Sequence, residues 1–139
     1  MQAAVLRAKL PYLDAWNARR RTLAAGYTER LRAAGLTGAP GTPVVPPPPA
    51  GDDHVWHQYV VRADRRDALQ AHLAADGISA TVYYPVPLHR QPPLVTACVT
   101  PVPLDESERA AREVLALPLY PELEESALDA VVASMRRFY

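Results

Sequence analysis

The sequence predicts an α+β fold: a small antiparallel or mixed three-stranded sheet backed by helices and preceded by one long helix. Three observations lead there. Residues 2–34 repeat apolar side chains at three- and four-residue steps, the period of an amphipathic helix. The segments 54–62, 78–84 and 115–120 are short and apolar, as strands are. Helical patterns lie between and after them, giving the order α-β-α-β-α-β-α.

In the first helix the apolar positions are Leu6, Leu10, Leu13, Trp16, Leu23, Tyr27 and Leu31. Pro11 lies inside this pattern and predicts a kink or local break. Gly35 is placed to close the C-terminus. No Ser, Thr, Asp or Asn precedes the pattern, so the helix lacks an N-cap and starts as if already under way.

Residues 37–53 contain Gly38, Pro40, Gly41, Pro43 and Pro46 to Pro49 and read as an extended linker or surface crossing. From His54 to Arg62, the residues Val55, His57, Tyr59 and Val61 alternate with Trp56, Gln58 and Val60. Both faces are largely apolar, which predicts a strand covered on both sides. Asp64 is the expected cap of a short helix running to about Asp76, with Leu69 and Leu73 inward and Gly77 ending it. Ile78 to Tyr84 is the second predicted strand.

Residues 92–104 read as irregular. Asp105 and Glu108 have the spacing of a capping box for a helix over about 106–114. Leu115 to Tyr120 is the third predicted strand, at an edge or bulged because Pro118 has no N–H. Pro121 precedes a final helix whose apolar face is Leu128, Val131, Val132 and Met135. The expected organisation is a long helix over 1–36, a Pro-rich linker over 37–53 and a small α+β domain over 54–139.

Composition narrows the function. The 15 basic and 15 acidic residues cancel, so nothing recommends a nucleic-acid or anionic-membrane partner. No apolar run approaches the roughly 20 residues of a membrane span. The start of the chain has no basic segment followed by an apolar core, as a secretory signal would. A single cysteine, Cys98, excludes an internal disulfide and suits a reducing compartment. The expectation is a cytoplasmic protein.

The stretch with the most chemistry is Tyr83-Tyr84-Pro85-Val86-Pro87-Leu88-His89-Arg90-Gln91-Pro92. Its prolines predict a stiff loop leaving a strand end, with two phenols, an imidazole and a guanidinium on it. The plain alternative is a proline-rich connection. His57 and His89 each adjoin a rigid element and suit a sugar hydroxyl or a phosphate oxygen, against the alternative of satisfied structural histidines. Arg90 is placed to meet a diphosphate, or is merely solvated.

No metal site is expected, because His54 and His57, three apart on a strand, point to opposite faces. His72 reads as a surface residue. Cys98 and the serines carry no nucleophile signature, and no Gly-rich phosphate loop is present. Glu122 to Glu125 suit a helix start better than a catalytic pair. Lys9 is the only lysine, against fourteen arginines, so any lysine chemistry in this chain rests on it.

Four segments, taken in order, carry a resemblance. They are Gln2-Ala3-Ala4-Val5-Leu6 with Lys9-Leu10-Pro11-Tyr12-Leu13-Asp14-Ala15-Trp16-Asn17; His54 to Arg62; Tyr84 to Pro92; and Leu115 to Leu123. Over essentially all 139 residues the chain resembles the long helix and small domain of DegT/DnrJ/StrS-type sugar aminotransferases. The resemblance implies the small C-terminal domain of the aspartate-aminotransferase fold, pyridoxal-phosphate fold type I. It implies a pyridoxal 5′-phosphate cofactor, a nucleotide-sugar substrate, glutamate as usual amino donor and a homodimeric enzyme. A large domain bearing the Schiff-base lysine is expected before Met1, and Lys9 falls in the helix motif instead. This chain alone is therefore expected to be inactive. By position the substrate-facing residues would be His57, Tyr84, Pro85, His89 and Arg90. The alternative is a non-catalytic module that binds a nucleotide-sugar or a partner chain.

Overall fold

The computed structural model describes residues 1–51, 53–97 and 102–139. Cys98 lies outside the described residues. The elements are α1 (Gln2–Lys9), a 3-10 turn (Leu10–Tyr12), α2 (Leu13–Ala33), β1 (Val44–Val45), β2 (Tyr59–Ala63), α3 (Arg66–Ala75), a second 3-10 turn (Leu88–Arg90), α4 (Asp105–Glu113), β3 (Val114–Leu117) and α5 (Glu125–Phe138). The strands form one antiparallel sheet in the order β1-β2-β3.

Local chemistry explains the helix ends. Pro11 opens the 3-10 turn that separates α1 from α2, because it has no N–H to continue the α pattern. At the end of α2, Gly35 has φ +72°, and the Gly35 and Leu36 amides donate to the Arg32 and Leu31 carbonyls, both at 3.0 Å. This closure turns Leu36 back into the core. The same motif ends α3, where Gly77 (φ +76°) donates to Ala74 and Ile78 donates to Leu73 at 2.8 Å. A β-carbon at either glycine would strain the backbone.

The core lies between the sheet and three helices. Tyr59, Val61 and Ala63 of β2 and Leu115 and Leu117 of β3 are buried against Leu23, Tyr27 and Leu31 of α2, Leu69 and Leu73 of α3, and Leu128 and Met135 of α5. At its centre the Tyr27 and Tyr59 rings stack with centroids 5.0 Å apart. Tyr27 donates its hydroxyl hydrogen to the Pro118 carbonyl at 2.9 Å, and the Thr28 and Tyr59 hydroxyls pair at 2.7 Å. Buried phenols thus keep partners for their polar ends. On the outer side, Arg19 pairs with Glu125 and Arg30 with Asp129, tying α2 to α5.

The sheet differs from the expected one in its strands. Val44 and Val45, inside the Pro-rich segment, pair with Ala63 and Arg62. Val44 is fully buried, so this part of the linker belongs to the core. The strand expected from His54 starts only at Tyr59. Before it, Trp56 has φ +49° and donates its amide to His54 Nδ1 at 3.0 Å. That local turn uses a group the ladder would need. The expected strand over 78–84 shrinks to one bridge, Thr81 with Ala116. Its antiparallel register would next set Ser79 opposite Pro118, which has no N–H to give. The third strand stops at Leu117 for the same reason.

Other expectations are corrected by side chains. Asp64 does not cap α3; Arg65, at φ +51°, holds that place, and the Asp64 amide donates to Pro43 at 2.9 Å as an extension of the β1–β2 pairing. The capping box at Asp105 and Glu108 does not form, since Leu104 is the cap and no side chain bonds there. β2 buries one face; on the other, Arg62 is half-buried and meets Glu113 and Glu106 of α4. His72 is half-buried, its Nε2 3.1 Å from the Ser134 carbonyl. The apolar stripe of the first helix is used only in part: Leu6 and Leu10 are each 68% exposed and Leu13 43%.

The Tyr27–Tyr59 pair yields two expectations. Tyr27→Phe keeps the ring but leaves the Pro118 carbonyl without its donor, a loss of about 1–2 kcal/mol in urea unfolding. Tyr27→Ala opens the core and should cost about 3–5 kcal/mol. Burial, with a smaller contribution from the neighbouring Tyr59, raises the Tyr27 phenol above its ordinary 10.0, and burial also raises Tyr59. A raised native value means that the unfolded chain gives up these protons first. Their contribution is complete below about pH 10 and declines as pH rises above it. Unfolding followed from pH 8 to 11 should show that decline, and Tyr27→Phe should lessen it.

Candidate functional site

The functional groups cluster where the 78–92 segment leaves the sheet. Ile78, Ala80 and Val82 pack against the core, and Thr81 exchanges two backbone hydrogen bonds with Ala116, at 2.8 and 3.0 Å. Alternation then sends Thr81 and Tyr83 to the face opposite those apolar residues. Thr81, Tyr83, Ser79, His57 and Gln58 line a shallow cleft of about 210 Å³ whose floor is Ala116 to Leu119. Two hydroxyls, a phenol, an imidazole and an amide around a small open space suit a polyhydroxylated ligand.

The loop continues into the 3-10 turn at Leu88–Arg90, entered from Pro87 in extended backbone. The Arg90 amide donates to the Pro87 carbonyl at 2.9 Å, and the Gln91 side-chain amide to the Val86 carbonyl at 3.1 Å. This turn brings His89 and Arg90 together on Glu108 of α4. Arg90 donates from Nε (3.0 Å) and Nη2 (2.7 Å) to Oε1, and His89 Nε2 lies 3.2 Å from the same oxygen. The Glu108 carboxyl is held below the usual carboxylate range, chiefly by the Arg90 bond and then by His89. The cluster borders a second cleft of about 360 Å³ with Val95, Val102 and Leu104 on its walls.

The structure therefore divides the residues expected to face substrate. His57 borders the first cleft and His89 and Arg90 the second. Tyr84 is 74% exposed, with its ring edge-on to Tyr83 at 5.7 Å, and Pro85 is exposed beside it. The sequence reading missed Tyr83 as a cleft residue and Glu108 as the partner of the loop. Strand alternation was the available signal for Tyr83. For Glu108 the capping-box spacing pointed elsewhere.

Lys9 sits at the end of α1 and borders an apolar recess with Leu6, Leu10, Leu13 and Trp16. Arg7 is the other charged residue there, and among the described residues no carboxylate lines that recess. A lysine so placed does not fit a pyridoxal-phosphate site, which needs an acidic partner for the ring nitrogen and a cradle for the phosphate. Since His54 and His57 precede the strand, the opposite-face argument against a metal no longer applies to them. Among the described residues, no three His, Cys, Asp or Glu side chains group as metal ligands. Among those residues, also, no helix is long and apolar enough to cross a membrane.

Comparison with known proteins supplies the family. The profile of the DegT/DnrJ/EryC1/StrS aminotransferase family matches residues 1–136. A pleiotropic regulatory protein of Geobacillus stearothermophilus is 46% identical over 140 residues, covering all of this chain and 36% of that protein. The dTDP-3-amino-3,4,6-trideoxy-alpha-D-glucose transaminase of Streptomyces venezuelae is 44% identical over 138 residues, covering 99% of this chain and 35% of that one. Among solved structures, S. venezuelae DesV in complex with a ketimine intermediate superposes with a TM-score of 0.87 at 42% identity, over 99% of this chain and 36% of its own. The chain thus spans about a third of the length of the relatives it matches. The small three-stranded sheet, its helices and the long first helix are shared with these structures, and the chain belongs to the DegT/DnrJ/EryC1/StrS aminotransferase family.

Proposed function

We propose that this chain is the linking helix and small C-terminal domain of a pyridoxal-phosphate-dependent aminotransferase. The enzyme would move an amino group, with glutamate as donor, onto a nucleotide-linked keto-sugar for polysaccharide or aminosugar synthesis. It would act as a cytoplasmic homodimer. The observation that carries the reading is the likeness to the S. venezuelae transaminase and to DesV, which runs over 99% of the chain.

The family is pyridoxal-phosphate-dependent. Lys9 and its recess do not fit the cofactor, and in this reading the part of this chain is substrate contact. In this reading the His57 cleft takes a sugar, its hydroxyls meeting Ser79, Thr81, Tyr83 and the imidazole. Tyr84 and Pro85 present an exposed face toward the nucleotide, and His89 and Arg90 supply donors at the edge of the second cleft. Lys9 has no part in transfer. The Schiff-base lysine would come from a large domain joined to α1.

A second reading is a non-catalytic module that binds a nucleotide-sugar or a partner chain. The regulatory name of the G. stearothermophilus relative favours it. Under either reading the open stripe at Leu6, Leu10 and Leu13 needs cover. The purified chain should self-associate with concentration in size-exclusion chromatography, and Leu6→Asp with Leu10→Asp should return it to a monomer.

The deciding experiment is a chimera in which residues 1–139 replace the matching third of the S. venezuelae transaminase. The expected result is a folded, cofactor-loaded enzyme that transfers nitrogen from glutamate to the dTDP-linked keto-sugar. Binding of that sugar with no turnover by a correctly loaded chimera would favour the second reading. The 139-residue chain alone, given pyridoxal phosphate and glutamate, should form no pyridoxamine phosphate. Formation that disappears in Lys9→Arg would overturn the assignment of Lys9.

A further inference from the structure

Glu108 stands outside the motifs that mark the family in this sequence, yet it receives the loop that one of them forms. Within residues 85–97 the other described hydrogen bonds are local. Arg90 bonds Pro87, Gln91 bonds Leu88 and Val86, Leu94 and Val95 bond Gln91, and Ala97 bonds Leu94. Among the described residues, the three donors converging on Glu108 Oε1 are the hydrogen bonds that tie this stretch to the rest of the fold. The two partners differ in shelter. The Arg90 side chain is 60% exposed, whereas the His89 side chain is 14% exposed and Glu108 29%. Solvent screens the arginine contact more than the histidine contact.

The anchor is itself held. Arg66 of α3 is buried and donates to the Ala111 (3.0 Å) and Val114 (2.8 Å) carbonyls at the end of α4. Arg62 of β2 reaches Glu113 and Glu106 on α4. α4 then passes directly into β3, and Ala116 and Leu117 of β3 form part of the floor of the His57 cleft. A continuous path of chain therefore runs from Glu108 through α4 and β3 to His57's cleft.

We infer that Glu108 is a positioning residue: its carboxylate clamps His89 and Arg90 and so fixes the Tyr84–Arg90 loop in register with the His57 cleft for a nucleotide-sugar. The part concerning nucleotide-sugar rests on the function proposed above, while the clamp itself does not. Glu108 touches no reacting atom in this account. It acts through the loop, so its loss should weaken substrate binding and spare the half-reaction with glutamate.

Two measurements test this. The first is residue-resolved hydrogen exchange on the 139-residue chain and its Glu108→Ala and Glu108→Gln variants. In Glu108→Ala the Arg90 and Gln91 amides should exchange about threefold faster or more. The Val61 and Ala116 amides should keep their protection, which reports that the variant still folds. Glu108→Gln retains an acceptor but no charge and should fall between. Unchanged exchange at Arg90 and Gln91 in Glu108→Ala would overturn the clamp. The second measurement places Glu108→Gln in the chimera. KM for the dTDP-linked keto-sugar should rise about threefold or more, with kcat and the glutamate half-reaction unaltered. An unaltered KM in an active chimera would overturn the positioning role. A parent chimera without activity would instead count against the functional reading, and the exchange comparison would still decide the clamp.

Discussion

The fold depends on the stacked phenols of Tyr27 and Tyr59. Tyr27 belongs to α2 and Tyr59 opens the central strand, so their contact joins the long helix to the sheet. The Tyr27 hydroxyl reaches the carbonyl of Pro118, just past the end of β3. Three elements distant in sequence therefore meet at one pair of rings. Both rings are buried, and both hydroxyls are satisfied, so this polar core is not left with an unpaired group. The α2–α5 ion pairs are solvent-facing and add orientation more than strength.

A second set of contacts organises the side of the sheet away from the long helix. α4 has its last carbonyls taken by the buried guanidinium of Arg66, which supplies donors where a helix end has none. The same helix receives Arg62 from the central strand and the loop through Glu108. α4 is short and only Ala111 on it is buried. Charged hydrogen bonds, and not apolar packing, hold it in place. The α4 side, which borders the second cleft, is thus built on electrostatics, while the half facing α2 and α5 is built on apolar burial.

This contrast explains what could be read in advance. The helices came through their periodicity and their closing glycines: Gly35 and Gly77 end α2 and α3 as their sequence contexts suggest, and Pro11 breaks the first helix where expected. The buried faces of α2 and α5 followed the same periodicity. β1 was hidden because two valines between prolines carry no period at all. The span from His54 alternates convincingly, yet a local bond from the Trp56 amide to His54 removes half of it from the ladder. Glu108 has the chemistry of a helix cap and is used otherwise, since its carboxylate has distant partners that no local pattern encodes; at Asp64 it is the backbone amide, pairing with Pro43, that takes the residue out of the cap position. Of the candidate site, the loop and its polar groups were legible. Their division between two clefts was not, because it depends on which face of the sheet each residue takes.

The sheet has one property that bears on how this chain meets others. Its first edge strand has two residues, with Pro43 before it and Pro46 to Pro49 after it. Its other edge is covered at Ala116 by Thr81, and Pro118 follows one residue past the strand. Among the described residues, neither margin offers a long run of free N–H and C=O groups on which a foreign strand could grow. Short, proline-flanked margins of this kind work against β-addition, the route that leads from native sheets to fibrils. Recognition at the sheet then falls to side chains, with the shape and charge discrimination that backbone pairing lacks.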